Sequence, residues 1–422
     1  MHAPPLLFLL ASLIVSGCTS APTSRMENGE RHTIRVCIAD RARDIDIEIG
    51  DGALLLTPGK RYSLDGHRKL RCRLDADGSI QVLINGTPAR RFRGVGRCVY
   101  RQPGSTFSID GRMYSDTLLI ASDGQNLYVI NILPLEEYLK SVVPREIGRN
   151  RKVEELAAVR AQAIIARTYA LGKIELPLTR LFDVYDDTRD QVFGGIGERD
   201  ELATAAVEAT AGTVLTFDDR LAECYYHSTC GGHTEASSLV WQRPQSKPYL
   251  VGGSDRGDHS DHCRISPSYR WSEEYSRTDL EAVLRTFLPS ANEAILPSDI
   301  PEKNWHLLDM NILKRGRSGR VTMLQIVMGN RMQQRSYYVH GDKVRYALRR
   351  PATESPLRSA LFNLSLTRDN GRWIQRVRID GGGNGHGVGL CQWGAIGMAR
   401  AGKDEREILS RYFPGTEIRR GK

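Results

Sequence analysis

The chain has 422 residues, of which 40% are hydrophobic and 26% charged, with a net charge of +9. That length supports two or three domains around a sizeable core, and the composition is that of a soluble globular protein rather than a fibrous or disordered one. The positive excess suits an acidic partner, but it is spread without a concentrated Lys/Arg run and only 7% of the residues are aromatic; no nucleic acid is expected as a partner, which leaves anionic lipid or an anionic cell-wall polymer.

The first segment, "MHAPPLLFLLASLIVSGCTS", has an apolar stretch from Pro5 to Val15 followed by Ser16-Gly17-Cys18. It is too short to span a bilayer and ends in small residues, as a cleaved export signal does. Val15-Ser16-Gly17-Cys18 is similar to the bacterial lipobox, in which Cys18 would be acylated; a plain secretory signal with an incidental cysteine is the other reading. Residues 1–18 are expected to form the signal and 19–31 a polar linker. The expected location is outside the cytoplasm, with a lipid anchor on the outer side of the cytoplasmic membrane or in the periplasm or outer membrane. Without Cys18, seven of the eight cysteines remain, so at least one is unpaired. Cys72 with Cys98 is a candidate bridge that spacing alone does not establish.

Residues 32–132 alternate apolar and polar positions in "HTIRVCIAD", "DIDIEIG", "SIQVLING" and "NLYVINIL", separated by Gly, Asp and Asn turn signals. This predicts a β-rich N-terminal domain. The period then changes. Leu135, Tyr138, Leu139, Val142 and Val143 form one helical face, which Pro144 is expected to stop. A second helix follows in "VEELAAVRAQAIIARTYALGKIE", with an alanine-rich face that lets a neighbour approach closely. "ELATAAVEATAG" predicts a third helix, and "TVLTF" with "AECYYHST" a hairpin. Residues 271–350 differ in texture and read as an inserted subdomain. The end, "GGGNGHGVGLCQWGAIGMARAGKDEREILSRYFPGTEI", reads as a glycine-rich turn and two short helices. The fold class expected is α+β.

Four places carry candidate chemistry. Glu146, just after the proline, would have a raised pKa if partly buried beside Val142, Val143 and Ile147, as a general acid near neutral pH requires. Arg160 and Arg167 lie two helical turns apart and suit carboxylate recognition. "CYYHSTCGGHTE" sets Cys224, His227, Cys230 and His233 close together, with types that fit zinc or, for the cysteines, a disulfide. "NGHGVGLCQWG" places His386 in a flexible glycine turn that a polymer could approach, with Gln392 and Trp393 just beyond.

Several stretches, in order, resemble the SpoIID/LytB family: "VINILPLEEYLKSVVPREI", "ELAAVRAQAIIARTYAL", "DQVFGG", "YYHSTCGGHTEASSLVW", "PYLVGG", "GHGVGLCQWGAIGMARAG" and "ILSRYFPGT". The resemblance covers about Leu127 to Ile418 apart from the insertion. It implies a catalytic domain from 133–270 and 351–422, with Glu146 as the acid/base of a peptidoglycan lytic transglycosylase acting on glycan strands, peptide-stripped ones preferred. It implies substrate-binding roles for Arg167, Arg160, Gln191, His386, Gln392 and Trp393. Arg167 would either orient Glu146 or contact the muramyl group. It also implies a structural zinc near Cys224 and Cys230, with His227 the nearest third ligand; the chemistry itself would need no cofactor. Cys391 stands where many relatives carry serine, so it is not expected to be a nucleophile. The aspartates Asp183, Asp186, Asp187 and Asp190 keep hydrolysis open. Two other readings remain: a non-catalytic, glycan-binding enhancer of a cell-wall amidase, and a zinc amidase built on Cys224, His227, Cys230 and His233.

Overall fold

A computed structural model describes residues 32–66, 68–100, 105–177, 179–291, 301, 304–350, 352–369 and 373–421. The signal, the linker and Cys18 lie outside the described residues. The fold is α+β, with strands concentrated at the N-terminal end.

The N-terminal strands form two sheets. One runs in the order Val184–Tyr185, Thr33–Ala42, Leu127–Pro134, Thr117–Ser122, Val95–Tyr100, Ala53–Thr57 and Lys60–Leu64. The other runs Arg112–Ser115, Thr106–Ile109, Asp44–Ile49, Arg68–Leu74, Ile80–Ile84 and Thr87–Phe92. The alternation read from sequence is the physical reason: Ile47, Ile49, Leu70, Cys72, Ile80 and Val82 from one sheet share a core with Leu55, Cys98, Leu118, Ile120 and Val129 from the other. Cys72 and Cys98 are both free thiols in that core, not a bridge.

The strand Leu127–Pro134 leads directly into helix α1 (Leu135–Ile147). Helix α2 (Leu156–Glu175) is buried on most of its surface, and its alanines Ala158, Ala161, Ala163, Ala166 and Ala170 admit α1, α3 (Glu201–Ala209), α7 (Gln392–Arg400) and α8 (Glu405–Tyr412). The same hydrophobic core runs from the sheets through α1 and α2 to Phe413. After α4 (Ser237–Trp241), a second core gathers Trp271, Tyr275, α5 (Arg277–Ala291), the sheet His306–Arg315, Val321–Gly329, Gln334–His340, α6 (Lys343–Ala347), and the strands Phe362–Arg368 and Ile374–Gly381. This second core extends past Arg350 to Ile379, because the strand Trp271–Ser276 pairs with Ile374–Gly381. None of the helices among the described residues is long and apolar enough to cross a membrane.

Two expectations are corrected. Pro144 does not stop α1; the helix continues to Ile147 and ends at Gly148, whose φ of 98° suits glycine. The proline forfeits only one N–H, and burial of Tyr138, Leu139, Val142, Val143 and Pro144 itself holds the helix together. The hairpin is also shorter than read. Thr213–Phe217 turns at Asp218-Asp219, both at positive φ, into Arg220–Leu221. Its other edge takes Glu417–Arg420. Tyr226–His227 leaves to pair in parallel with Leu390–Cys391.

Candidate active site

Glu146 lies in the last turn of α1 and is half-buried. The Val192 backbone N–H donates to its Oε1 at 2.8 Å, and the Tyr226 hydroxyl lies near enough to the same carboxyl to lower its pKa. Tyr226 is itself fixed by Gln191, whose Nε2 donates to its hydroxyl at 3.2 Å and to the Ala166 carbonyl at 3.4 Å. The Tyr138 hydroxyl donates to Gln191 Oε1 at 3.3 Å, which sets the orientation of that amide. Burial pushes the Glu146 pKa up to about 6, against the Val192 N–H, the Tyr226 hydroxyl and Arg145, which lower it. Burial, with the Glu146 charge, drives the Tyr226 phenol well above its ordinary value, so it remains a donor.

The glycine turn completes this arrangement from the far end of the chain. Val388 N–H donates to His386 Nδ1 at 3.0 Å, which leaves Nε2 as the protonated nitrogen facing the Tyr226 carbonyl at 2.9 Å. Burial, then the neighbouring His227, pulls the His386 pKa down to about 3, so the ring is neutral. The run of glycines admits this chain's own backbone, not a polymer. A Cβ at Gly385 would fall 2.7 Å from His227 Cβ, and one at Gly389 2.1 Å from the Tyr225 carbonyl oxygen. His386 therefore holds the backbone of Tyr226, whose side chain lies beside Glu146.

The other sequence-predicted residues fall elsewhere. Arg167 is fully buried and does not meet Glu146. Its Nε and Nη2 form a bidentate pair with Glu136 at 2.8 Å each, and it donates to the Val207 and Thr213 carbonyls. Arg160 reaches toward Glu405 on α8 at 4.0 Å. Gln191 is buried beneath Tyr226, which removes it from direct substrate contact. Gln392 is buried and donates to Gln162 at 3.3 Å. Trp393 is half-buried with the Arg151 guanidinium 5.4 Å from its ring centroid, on the surface a sugar would need. Of the loop aspartates, Asp183 pairs with Arg35, Asp187 with Arg189, and Asp190 with Lys173. Asp186 alone has a raised pKa, about 6, caused by burial and then by Asp187.

The zinc ligands inferred from the resemblance do not assemble. Cys224 is buried against Thr168, His227 Nδ1 bonds the Val388 carbonyl, and His233 Nδ1 bonds the Thr234 carbonyl. Cys230 faces away from them, toward Cys263, Cys391 and Asp255. A zinc amidase built on Cys224, His227, Cys230 and His233 is thereby excluded on geometry. Tyr226, Asp255 and Cys263 were not singled out from sequence. The one signal for Tyr226 is that it neighbours His227 in an extended pair, so the two side chains point to opposite faces.

Residues 123–217 match the family model for the stage II sporulation protein SpoIID, and residues 238–389 match a domain of unknown function, DUF8618. An uncharacterized protein of Brachyspira hyodysenteriae is 29% identical over 314 residues, covering 74% of each chain. The amidase enhancer of Bacillus subtilis is 29% identical over 305 residues, 66% of this chain but only 40% of the enhancer. Stage II sporulation protein D of the same organism is 25% identical over 302 residues, 68% of this chain and 74% of that protein. Together with the ordered motifs, these matches support a likeness to the SpoIID/LytB family.

Proposed function

We propose that the protein is an exported peptidoglycan lytic transglycosylase with Glu146 as its acid and base. The observation that carries this reading is a half-buried carboxyl that accepts the Val192 backbone N–H and whose pKa burial raises to about 6. Protonated Glu146 gives its proton to the glycosidic oxygen between N-acetylmuramic acid and N-acetylglucosamine. The C1–O bond breaks through an oxocarbenium-like state. The resulting carboxylate takes the proton from the muramyl C6 hydroxyl, whose oxygen closes on C1 to form a 1,6-anhydro ring. One carboxyl returns to its starting state, so no second acid is consumed. Val192 N–H and the Tyr226 hydroxyl stabilise the anionic stage.

The charge of +9 fits an anionic wall polymer, and acylation of Cys18 would keep the enzyme at a membrane facing that polymer. The likeness to the amidase enhancer supports a second reading, a glycan-binding partner of a wall amidase without activity of its own. Mass spectrometry of peptide-free glycan strands after incubation separates the two. Anhydro-muramyl ends from wild type and none from Glu146→Gln are expected. Reducing ends would indicate hydrolysis, and intact strands that still bind the folded protein would favour the enhancer.

A further inference from the structure

We propose that Cys230, Cys263, Cys391 and Asp255 form a closed tetrahedral zinc site that ties together three segments distant in sequence. The proposal is independent of the glycan-cleaving reading. The four ligand atoms lie within 4.8 Å of one another, and all four residues are buried. Cys230 Sγ and Cys263 Sγ are 3.6 Å apart. Zinc–sulfur bonds of about 2.3 Å in a tetrahedron put two sulfurs about 3.8 Å apart, so this spacing needs little adjustment.

The surroundings are those of charged ligands. Cys391 Sγ accepts the Cys230 N–H at 3.1 Å and the Gly394 N–H at 3.3 Å, and Cys230 Sγ accepts the Gly232 N–H at 3.4 Å. Asp255 is oriented on both oxygens, by the Cys263 N–H at 2.8 Å and the Tyr412 hydroxyl at 2.5 Å. Metal-binding carboxylates are held by an outer shell of this kind. Asp255 is fully buried yet makes no ion pair among the described residues, and a buried carboxylate without a cation is costly. Arg320 is likewise buried without an ion pair among them. Its Nη2 donates to the Cys230 carbonyl at 2.8 Å, which puts a positive charge beside the anionic cluster. Glycine at 394 is required, because a Cβ there would stand 2.5 Å from Asp255 Oδ1 and 3.2 Å from Cys391 Sγ.

A Cys230–Cys263 disulfide would use two thiols and leave the third thiol and the carboxylate unexplained. Thiolates select zinc over the hard cations, and four protein ligands leave no open position, so the ion is structural. It would bind the end of the Tyr226–His227 segment to the first turn of α7 and to the loop 255–263, across the insertion.

The test uses the full chain purified from an exporting host without chelator. Elemental analysis is expected to give about one zinc per chain, and absorption at the zinc edge three sulfurs and one oxygen. Cys263→Ser and Cys391→Ser should lower zinc affinity at least about tenfold, whereas Cys224→Ser and His227→Ala keep the ion. If the serine variants do not fold, the edge spectrum of the wild type decides alone. The proposal is overturned by protein that takes up no zinc after incubation with zinc salt, by a Cys230–Cys263 linked peptide in the native digest, or by zinc lost on replacing Cys224.

Discussion

Replacing Glu146 with Gln should remove activity and raise stability together, with a pH signature that identifies the cause. Burial lifts the carboxyl from its ordinary 4.5 to about 6 in the folded protein. The folded state therefore binds the proton more tightly than the unfolded state. The stability that this proton confers is fully present below pH 4.5 and is lost as pH rises through 6. At about 1.4 kcal/mol per unit, a shift of roughly 1.5 units means that ionised Glu146 costs the fold about 2 kcal/mol above neutrality. Glu146→Gln carries no charge at any pH and escapes that cost. Urea unfolding of both proteins between about pH 4 and pH 8 measures it. The variant should gain about 2 kcal/mol relative to wild type across that range, with the change centred between 4.5 and 6. A difference that stays constant with pH, or that grows toward acid, would refute the assignment of the raised pKa to burial of this carboxyl.

Further predictions follow from the same contacts. The rate of glycan cleavage under limiting substrate should fall about tenfold per pH unit above 6, because the acid must be protonated; Tyr226→Phe should move that limb to higher pH, since its hydroxyl lowers the Glu146 pKa, and should slow turnover about tenfold. Glu136→Ala leaves the buried Arg167 with carbonyl partners only and should destabilise the protein by about 3 kcal/mol in urea, without altering the product of the protein that remains folded. Asp186→Asn should leave the anhydro product unchanged in mass spectra; loss of cleavage there would assign a second carboxyl to the reaction.

Much of the fold was legible because the signals are local. Alternation marked the paired strands, and the spacing of Leu135, Tyr138, Leu139, Val142 and Val143 marked α1 and its buried face. The error at Pro144 came from applying a local rule where burial of the final turn outweighs one missing hydrogen bond. Glu146 was reached through motif order rather than periodicity. Its partners could not be, since Tyr226 meets it only after residues 386–391 return to the segment 225–230. Arg167 illustrates the same limit. Arg167 was expected to orient Glu146 or to contact substrate, but which carboxylate it meets is set by how α1 crosses α2, and that is Glu136. The cysteine cluster was hidden for a related reason: Cys224 and Cys230 are near in sequence and point apart, whereas Cys230, Cys263 and Cys391 are far apart and converge.

The parallel pairing of Tyr226–His227 with Leu390–Cys391 has a bearing on when the molecule becomes competent. A chain is made from its N-terminus, and Glu146 is in place long before residue 386 exists. Until the last stretch arrives, Tyr226 lacks the His386 brace, and the edge of Thr213–Phe217 lacks Glu417–Arg420. Closing so long a loop is slow compared with forming α1 or α2. Glu146 is thus the early part of the proposed site and its surroundings the late part, so a truncated or stalled chain would carry Glu146 in an unfinished setting.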